Sequence, residues 1–226
     1  MACFLIITLY STIRNTSLFF KIFMEMTMKK LIVLCMGLGT FSSAYADLDL
    51  SQFKTRLGVT LIEPKSHPGN LYDGTATSIS RSYALTASNL YFVTPNVAID
   101  LLVGTAPKHR IYGNGEKIGY TRYLPPTLSV QYNFNPDGQL NPYLGVGVNY
   151  TYYFNEKLIS NDKLSISNSF GYAATAGMEY NLNKNISLGA EFRYIDVNSD
   201  IRINGTTVGN GDVNPMLYTL NLGYKF

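Results

Sequence analysis

Tryptophan is absent from this chain, and histidine and cysteine occur twice each. Only 15% of its 226 residues are charged, against ~25% in an ordinary soluble domain. Each shortage removes a class of function. Both cysteines, Cys3 and Cys35, lie within the first 46 residues, which read as a leader that is removed. What remains has no disulfide, no thiol nucleophile and no cysteine-based metal site. His67 and His109 are far apart, and no His-x-Glu, HExxH or clustered-Asp loop accompanies them, so no metal and no other cofactor is expected. His109 reads as a hydrogen-bonding loop residue rather than a ligand or base. No stretch of ~18 residues is apolar throughout, which excludes a bundle of transmembrane helices. Disorder is excluded from the other direction: 46% of residues are hydrophobic and 13% aromatic, and the eighteen Tyr and twelve Phe favour strands.

Met28-Lys29-Lys30 followed by Leu31-Ile32-Val33-Leu34-Cys35-Met36-Gly37-Leu38 has the form of a basic n-region and an apolar h-region, and Ala44-Tyr45-Ala46 is an A-x-A cleavage pattern. The expectation is an exported chain. Residues 1–46 are an upstream extension plus secretory signal peptide, with translation read as starting at Met24, Met26 or Met28, and the mature domain is 47–226. The apolar run is too short for a membrane anchor, and Leu34 is too bulky for lipoprotein processing at Cys35. The leader holds Arg14, Lys21, Lys29 and Lys30 against Glu25; taking these from eighteen bases and fifteen acids leaves fourteen of each. A formally neutral mature domain gives nucleic-acid binding no electrostatic basis.

From Gln52 onward the hydropathy period is two. In the last segment Met216, Tyr218, Leu220, Leu222, Tyr224 and Phe226 alternate with Pro215, Leu217, Thr219, Asn221, Gly223 and Lys225. Successive strand residues point to opposite faces, so one face is wholly apolar and the other mostly polar or small. The same pattern recurs near 57–61, 97–103, 127–134, 143–152, 171–180 and 186–194, and less cleanly near 82–92. Eight strands result, an even number as single-chain outer-membrane barrels have. Short turns at Thr94-Pro95-Asn96, Asn135–Asn141 and Asn183-Lys184-Asn185 alternate with longer polar segments near 64–80, 105–122, 155–165 and 198–212, which read as extracellular loops. The small, glycine-rich face carries too few Lys and Glu to be a soluble barrel's exterior. The apolar face ends in Tyr150, Tyr152, Tyr180, Tyr194 and Tyr224, as interfacial girdles do. The apolar face therefore points to lipid.

Three stretches resemble a known family: Tyr91-Phe92-Val93-Thr94-Pro95-Asn96-Val97-Ala98-Ile99-Asp100-Leu101-Leu102, Leu124-Pro125-Pro126-Thr127-Leu128 through Gln131-Tyr132, and Pro142-Tyr143-Leu144-Gly145-Val146-Gly147-Val148-Asn149-Tyr150-Thr151. They are similar to the OmpW family of small outer-membrane proteins, over essentially all of 47–226. The resemblance implies an eight-stranded barrel with a hydrophobic passage for small apolar or weakly polar molecules. There are two departures. Thr105-Ala106-Pro107-Lys108-His109 keeps the His of the family's Thr-Pro-Phe-x-His stretch but not its aromatic, and there is no Trp to serve as the gate some relatives are thought to use.

Face assignment places Arg56, Asp100, Glu179, Glu191, Arg193 and Lys225 inside an eight-stranded barrel, whose interior side chains can fill. Three bases and three acids near the periplasmic end read as a structural plug of ion pairs, with a proton or ion relay as the alternative. A plugged lumen sends a solute sideways. Pro125 and Pro126 cannot donate to a ladder, so they mark a candidate lateral opening, or else merely end the second long loop. Leu71, Tyr72, Ile111, Tyr112, Tyr123 and Leu158 are candidate linings of a funnel above the plug, with Ile79, Ile118, Tyr120, Ile159 and Leu164 nearby.

The sequence thus predicts an all-β, eight-stranded antiparallel transmembrane β-barrel in the outer membrane. It would be a non-enzymatic, passive channel for small hydrophobic or weakly polar molecules, releasing them laterally into the bilayer. Expected partners are outer-membrane lipid, a small hydrophobic solute, and the barrel-assembly machinery acting through C-terminal Phe226; the expected state is a monomer. A structural or adhesive surface barrel of the OmpA or OmpX type is the alternative, with a filled lumen and strand-like loops. A barrel enzyme would instead show a Ser–His pair at the rim, from a serine such as Ser78 or Ser80.

Overall fold

The computed structural model describes residues 50–66 and 68–226. The leader with its Ala44-Tyr45-Ala46 pattern, and His67, lie outside the described residues. After a 3-10 turn at Leu50–Gln52 come fifteen strands: β1 (Phe53–Glu63), β2 (Gly69–Asn70), β3 (Ala76–Ile79), β4 (Ser82–Phe92), β5 (Val97–Gly104), β6 (Lys108–Gly113), β7 (Glu116–Leu124), β8 (Thr127–Asn133), β9 (Leu140–Leu158), β10 (Leu164–Ile166), β11 (Ser169–Asn181), β12 (Ile186–Ile195), β13 (Asn198–Ile203), β14 (Thr206–Asp212) and β15 (Met216–Lys225).

Eight of them close a barrel in the order β1, β4, β5, β8, β9, β11, β12 and β15, every neighbour antiparallel and β15 paired back to β1. Closure leaves no free edge, which a lipid environment requires because nothing there can satisfy an unpaired amide. The alternation fixes which way each stave faces. Leu57, Val59, Leu128, Val130, Leu144, Val146, Leu188, Leu220 and Leu222 are exposed on the outside, while Arg56, Thr60, Asp100, Ser129, Asn149, Glu179 and Arg193 are buried inside. Strand β4 resisted sequence reading because its inner face is itself mixed: Leu90 and Phe92 turn inward and pack with Ala98 as a small apolar base at the short-turn end. Its outward Asn89 accepts a hydrogen bond from outward Thr55 at 3.1 Å, so two polar groups on adjacent staves satisfy each other.

Aromatic pairs ring both ends of the apolar band. Phe53–Tyr91, Tyr132–Phe134 and Tyr224–Phe226 lie at the short-turn end, and Tyr152–Phe154 and Tyr172–Tyr194 at the other, with centroids 5.0–6.0 Å apart.

The four long polar segments are not irregular loops. They fold into strands that build a second storey on the barrel. Strand β9 continues upward and pairs with β7, then β6, β3 and β2 follow. Leu71 bridges to Gly209 on β14, which pairs with β13 and then β10. Ile166 of β10 donates its N–H to Glu156 Oε1 of β9 at 2.9 Å, bringing the ring round to its start. Two-residue Asn-Gly turns make this possible: Asn114 and Gly115, and Asn204 and Gly205, all have positive φ, the requirement of hairpin turns that match strand twist. Lys108, Arg110 and Arg122 are exposed on this storey's outside, so it stands clear of the hydrocarbon.

Candidate functional site

The inside of the structure is layered. Lowest is a charge network. Arg56 grips Glu179 with two hydrogen bonds, Nε–Oε1 at 3.0 Å and Nη2–Oε2 at 3.2 Å, and donates from Nη1 to Gln131 Oε1 at 2.9 Å. Lys54 Nζ lies 2.8 Å from Glu179 Oε1, and Ser187 donates to the same oxygen at 3.1 Å. The Arg56 guanidinium sits 4.3 Å over the Tyr143 ring, whose hydroxyl donates to Glu191 at 3.0 Å. Arg193 links Glu191 at 3.1 Å to Asp100 at 2.7 Å, and Ser88 donates to Asp100. Three cations and three carboxylates therefore neutralise one another, the pairing that makes buried ions tolerable, with Arg193 Nη1 left without a partner.

Above this lie hydroxyl and amide groups. Thr60 Oγ1 shares hydrogen bonds of 2.8 Å with both Thr86 and Thr219, and Asn149 bonds Thr127 and Thr151. The next layer is mainly aliphatic: Ile62, Ala84, Leu102, Ala173, Ile195, Val197, Val213 and Leu217 pack with Tyr123 and Tyr153 into one buried cluster across the barrel. A close-packed, mainly aliphatic layer is a barrier to water and ions, and the Tyr123 and Tyr153 hydroxyls are buried within it.

Over that seal the second storey encloses a cavity of about 50 Å³, lined chiefly by Leu71, Ile79, Ile111, Ile118, Leu158, Leu164, Ile166, Ile201 and Ile203. Two bulges turn this lining inward. Asn155, at φ 62°, puts an extra residue into β9 opposite Thr121, so Tyr153 below it and Leu158 above it both face in. On β7 the register slips around Ile118, so that Ile118, Thr121 and Tyr123 share the inner side. The lining includes two hydroxyl-bearing residues that make no hydrogen bond with them, Tyr153 and Ser199.

Beside the seal the wall is interrupted. The β5–β8 ladder ends at Leu102↔Thr127 and the β6–β7 ladder begins at Lys108↔Arg122. Between them, Val103–Pro107 and Tyr123–Pro126 exchange no backbone hydrogen bond. Each side is nevertheless held on its far flank. Thr105 N–H bonds Leu85 O at 2.9 Å, and Pro126 O accepts from Tyr150 N–H at 3.1 Å. The two prolines have no N–H to offer across the seam. The slot is backed by a ring pair: His109 stacks on Tyr123 with centroids 4.6 Å apart, and Tyr153 lies behind at 5.4 Å. His109 Nδ1–H donates to the Ser80 carbonyl at 2.9 Å, which leaves Nε2 as the acceptor of a neutral ring. Burial holds the His109 pKa below its usual value, and the Ser80 carbonyl acts in the other direction.

Of the six charged residues expected in the lumen, Arg56, Asp100, Glu179, Glu191 and Arg193 meet in one network, while Lys225 is half-buried at the rim, 5.5 Å over the Phe92 ring. Lys54 is the member that sequence reasoning missed; extending the inner face of β1 two residues back from Arg56 would have found it. Pro125 and Pro126 sit on the seam. Among the funnel candidates Leu71, Ile111 and Leu158 line the cavity, and Tyr123 lies in the seal beneath it. Tyr72 is 73% exposed at the β2–β3 turn, and Tyr112 is on the outer side of β6 because it alternates with Ile111. Tyr120 packs under Lys108, whose Nζ is 3.5 Å from its ring centroid, and Ile159 is exposed. His109 lies on a strand rather than in a loop. Ser80 meets His109 through its carbonyl, while its hydroxyl accepts from Arg110 N–H at 2.9 Å, so the two do not form a nucleophile–base pair.

Comparison with known proteins places the chain. The family model described as "OmpW family" matches residues 51–226. Outer membrane protein W of Salmonella typhimurium is 30% identical over 214 residues, covering 88% of this chain and all of that protein. The crystal structure of the outer membrane protein OprG from Pseudomonas aeruginosa superposes with a TM-score of 0.70 at 26% identity, covering 77% of this chain and 95% of that one. A more distant relative, the dibenzothiophene metabolism operon protein PahQ of Pseudomonas aeruginosa, is 24% identical over 136 residues, 58% of this chain and 64% of that protein.

Proposed function

The chain belongs to the OmpW family and resides in the outer membrane, and we propose that it is a passive conduit for small hydrophobic or weakly polar molecules, releasing them laterally into the bilayer. One observation carries this reading: an apolar cavity stands directly over a sealed, charge-filled lumen and beside a break in the wall. A solute entering from outside finds aliphatic side chains, cannot continue downward through the close-packed layer and the ion pairs, and has the Pro125–Pro126 seam as its exit. The Arg56–Glu179 and Arg193–Asp100 pairs act as the plug. The gene context named for PahQ, dibenzothiophene metabolism, agrees with an apolar solute. No catalytic role is assigned, since Ser80 and His109 are joined through a carbonyl. The working unit is a monomer of residues 47–226, surrounded by lipid and delivered by the barrel-assembly machinery through Phe226, which is exposed beyond the last rung.

A second reading, a structural or adhesive surface barrel, draws support from the strand-like second storey. Uptake separates the two. Cells with an intact lipopolysaccharide leaflet are given a labelled apolar solute and carry either the wild-type barrel or a variant with Pro125→Val and Pro126→Thr. The conduit predicts uptake above barrel-free cells and a several-fold fall in the variant. Undiminished uptake by a well-folded variant removes the lateral route, and wild-type uptake at background removes the conduit.

A further inference from the structure

Four polar atoms between the cavity and the seam lack a hydrogen-bond partner: the hydroxyls of Tyr153, Tyr123 and Ser199, and Nε2 of His109. All four residues are more than nine-tenths buried. A buried hydroxyl left unpaired is costly, and clusters of them are rare unless something completes them. Tyr153 and Ser199 line the cavity itself, and their hydroxyls interact with each other but have no other partner. Tyr123 follows behind Tyr153, and His109 stacks on Tyr123 against the seam. The orphaned atoms thus run from the cavity floor to the break in the wall, inside an otherwise aliphatic surround.

We infer that the cavity selects apolar molecules bearing a single uncharged oxygen, such as short-chain ketones and alcohols, over hydrocarbons of the same length, with Tyr153 and Ser199 donating to that oxygen. This deepens the conduit reading and rests on it. The hydrocarbon part lies among Ile111, Ile118, Leu158 and Ile201. An alcohol additionally has a proton to give, and His109 Nε2 is the acceptor waiting nearer the seam. Charged heads are disfavoured. Among the described residues no cation lines the cavity to pair a carboxylate, and Glu156, which acts on Tyr153 electrostatically, would repel one.

The test measures uptake of labelled 2-heptanone and of heptane by cells with an intact lipopolysaccharide leaflet, carrying wild type, Tyr153→Phe or Ser199→Ala. Both substitutions remove one oxygen and leave the cavity's shape. The ketone-to-hydrocarbon ratio is expected to fall about five-fold per hydroxyl lost, the worth of one hydrogen bond. An unchanged ratio, with both solutes still above background, overturns the selectivity while leaving the conduit intact; an equal fall for both solutes marks the hydroxyls as structural and likewise overturns it. Uptake of both at background in wild type overturns the conduit reading itself. A second readout needs no variant: in the purified barrel in micelles, the Tyr153 ring Cζ resonance should move on titration with 2-heptanone and not with heptane. Equal response to the two would refute the inference.

Discussion

Replacing Glu179 by Gln isolates the charge on which the lumen network turns. The carboxylate is fully buried and receives Arg56 at 3.0 and 3.2 Å, Lys54 at 2.8 Å and Ser187 at 3.1 Å. Gln keeps the shape and one acceptor, but leaves Lys54, Arg56 and Arg193 facing only Asp100 and Glu191. Removing one partner of a buried pair costs ~3–5 kcal/mol because the other charge stays behind; with the shape preserved, a loss of ~3 kcal/mol is expected, about a hundred-fold in the unfolding equilibrium. If the penalty is the excess charge rather than lost contacts, deleting a cation should return most of it. The double variant Lys54→Met with Glu179→Gln is neutral again and should recover at least half the loss. Urea unfolding of the barrel in lipid vesicles, followed by far-ultraviolet circular dichroism because there is no tryptophan to report, measures both. The reasoning fails if Glu179→Gln lies within ~1 kcal/mol of wild type, the behaviour of a water-filled lumen, or if the second substitution gives no recovery.

Other outcomes follow from the same geometry. Thr60→Val removes the hydroxyl shared by Thr86 and Thr219 at 2.8 Å each, and should lower the unfolding free energy by ~1–2 kcal/mol in the same assay. A Cβ at Gly177 would lie 2.2 Å from Tyr143 Cζ, so Gly177→Ala must push that ring off Arg56 and should cost ~1–3 kcal/mol. Leu158→Asp places an unpaired carboxylate in the cavity and should cut apolar uptake at least ~10-fold while the folded form on unheated gels persists. Acidity should loosen the seam. His109 has its pKa lowered by burial, so the unfolded storey binds a proton below about 6.5 that the folded storey refuses. Its stability is therefore whole above that pH and falls as pH drops toward the folded value. Amide exchange in β6 and β7, corrected for intrinsic rates, should accelerate between pH 7.5 and 5.5, and His109→Gln should flatten the response.

The barrel was legible because lipid on one side and packed polar groups on the other enforce a strict period of two, as in Leu144–Tyr152 and Met216–Phe226. The charge network followed from the same parity. The second storey was not legible as strands, because its residues were judged by polarity. Lys108-His109-Arg110-Ile111-Tyr112 alternates as cleanly as any stave once charge is allowed to face water. The Asn-Gly pairs at 114–115 and 204–205 lie between alternating segments, where they are the strongest short signal of a hairpin. What no pattern disclosed was the parity change at Asn155. A one-residue bulge re-aims every side chain beyond it on its own strand, which is what turns Leu158 into the cavity.

The seam also sets how the second storey can move. The β6–β7 hairpin hangs from β3 on one flank and β9 on the other, and at its root Ser82 of β4 donates to the Lys108 carbonyl at 3.2 Å while Leu124 stays paired with Tyr152 of β9; across the seam itself no backbone hydrogen bond joins Val103–Pro107 to Tyr123–Pro126. Spreading the seam parts those two segments without rupturing an amide-to-carbonyl link between them. For the conduit proposed above, this makes side-chain rearrangement the step a guest would meet there, orders of magnitude faster than unzipping a sheet, with every stave below keeping its partners.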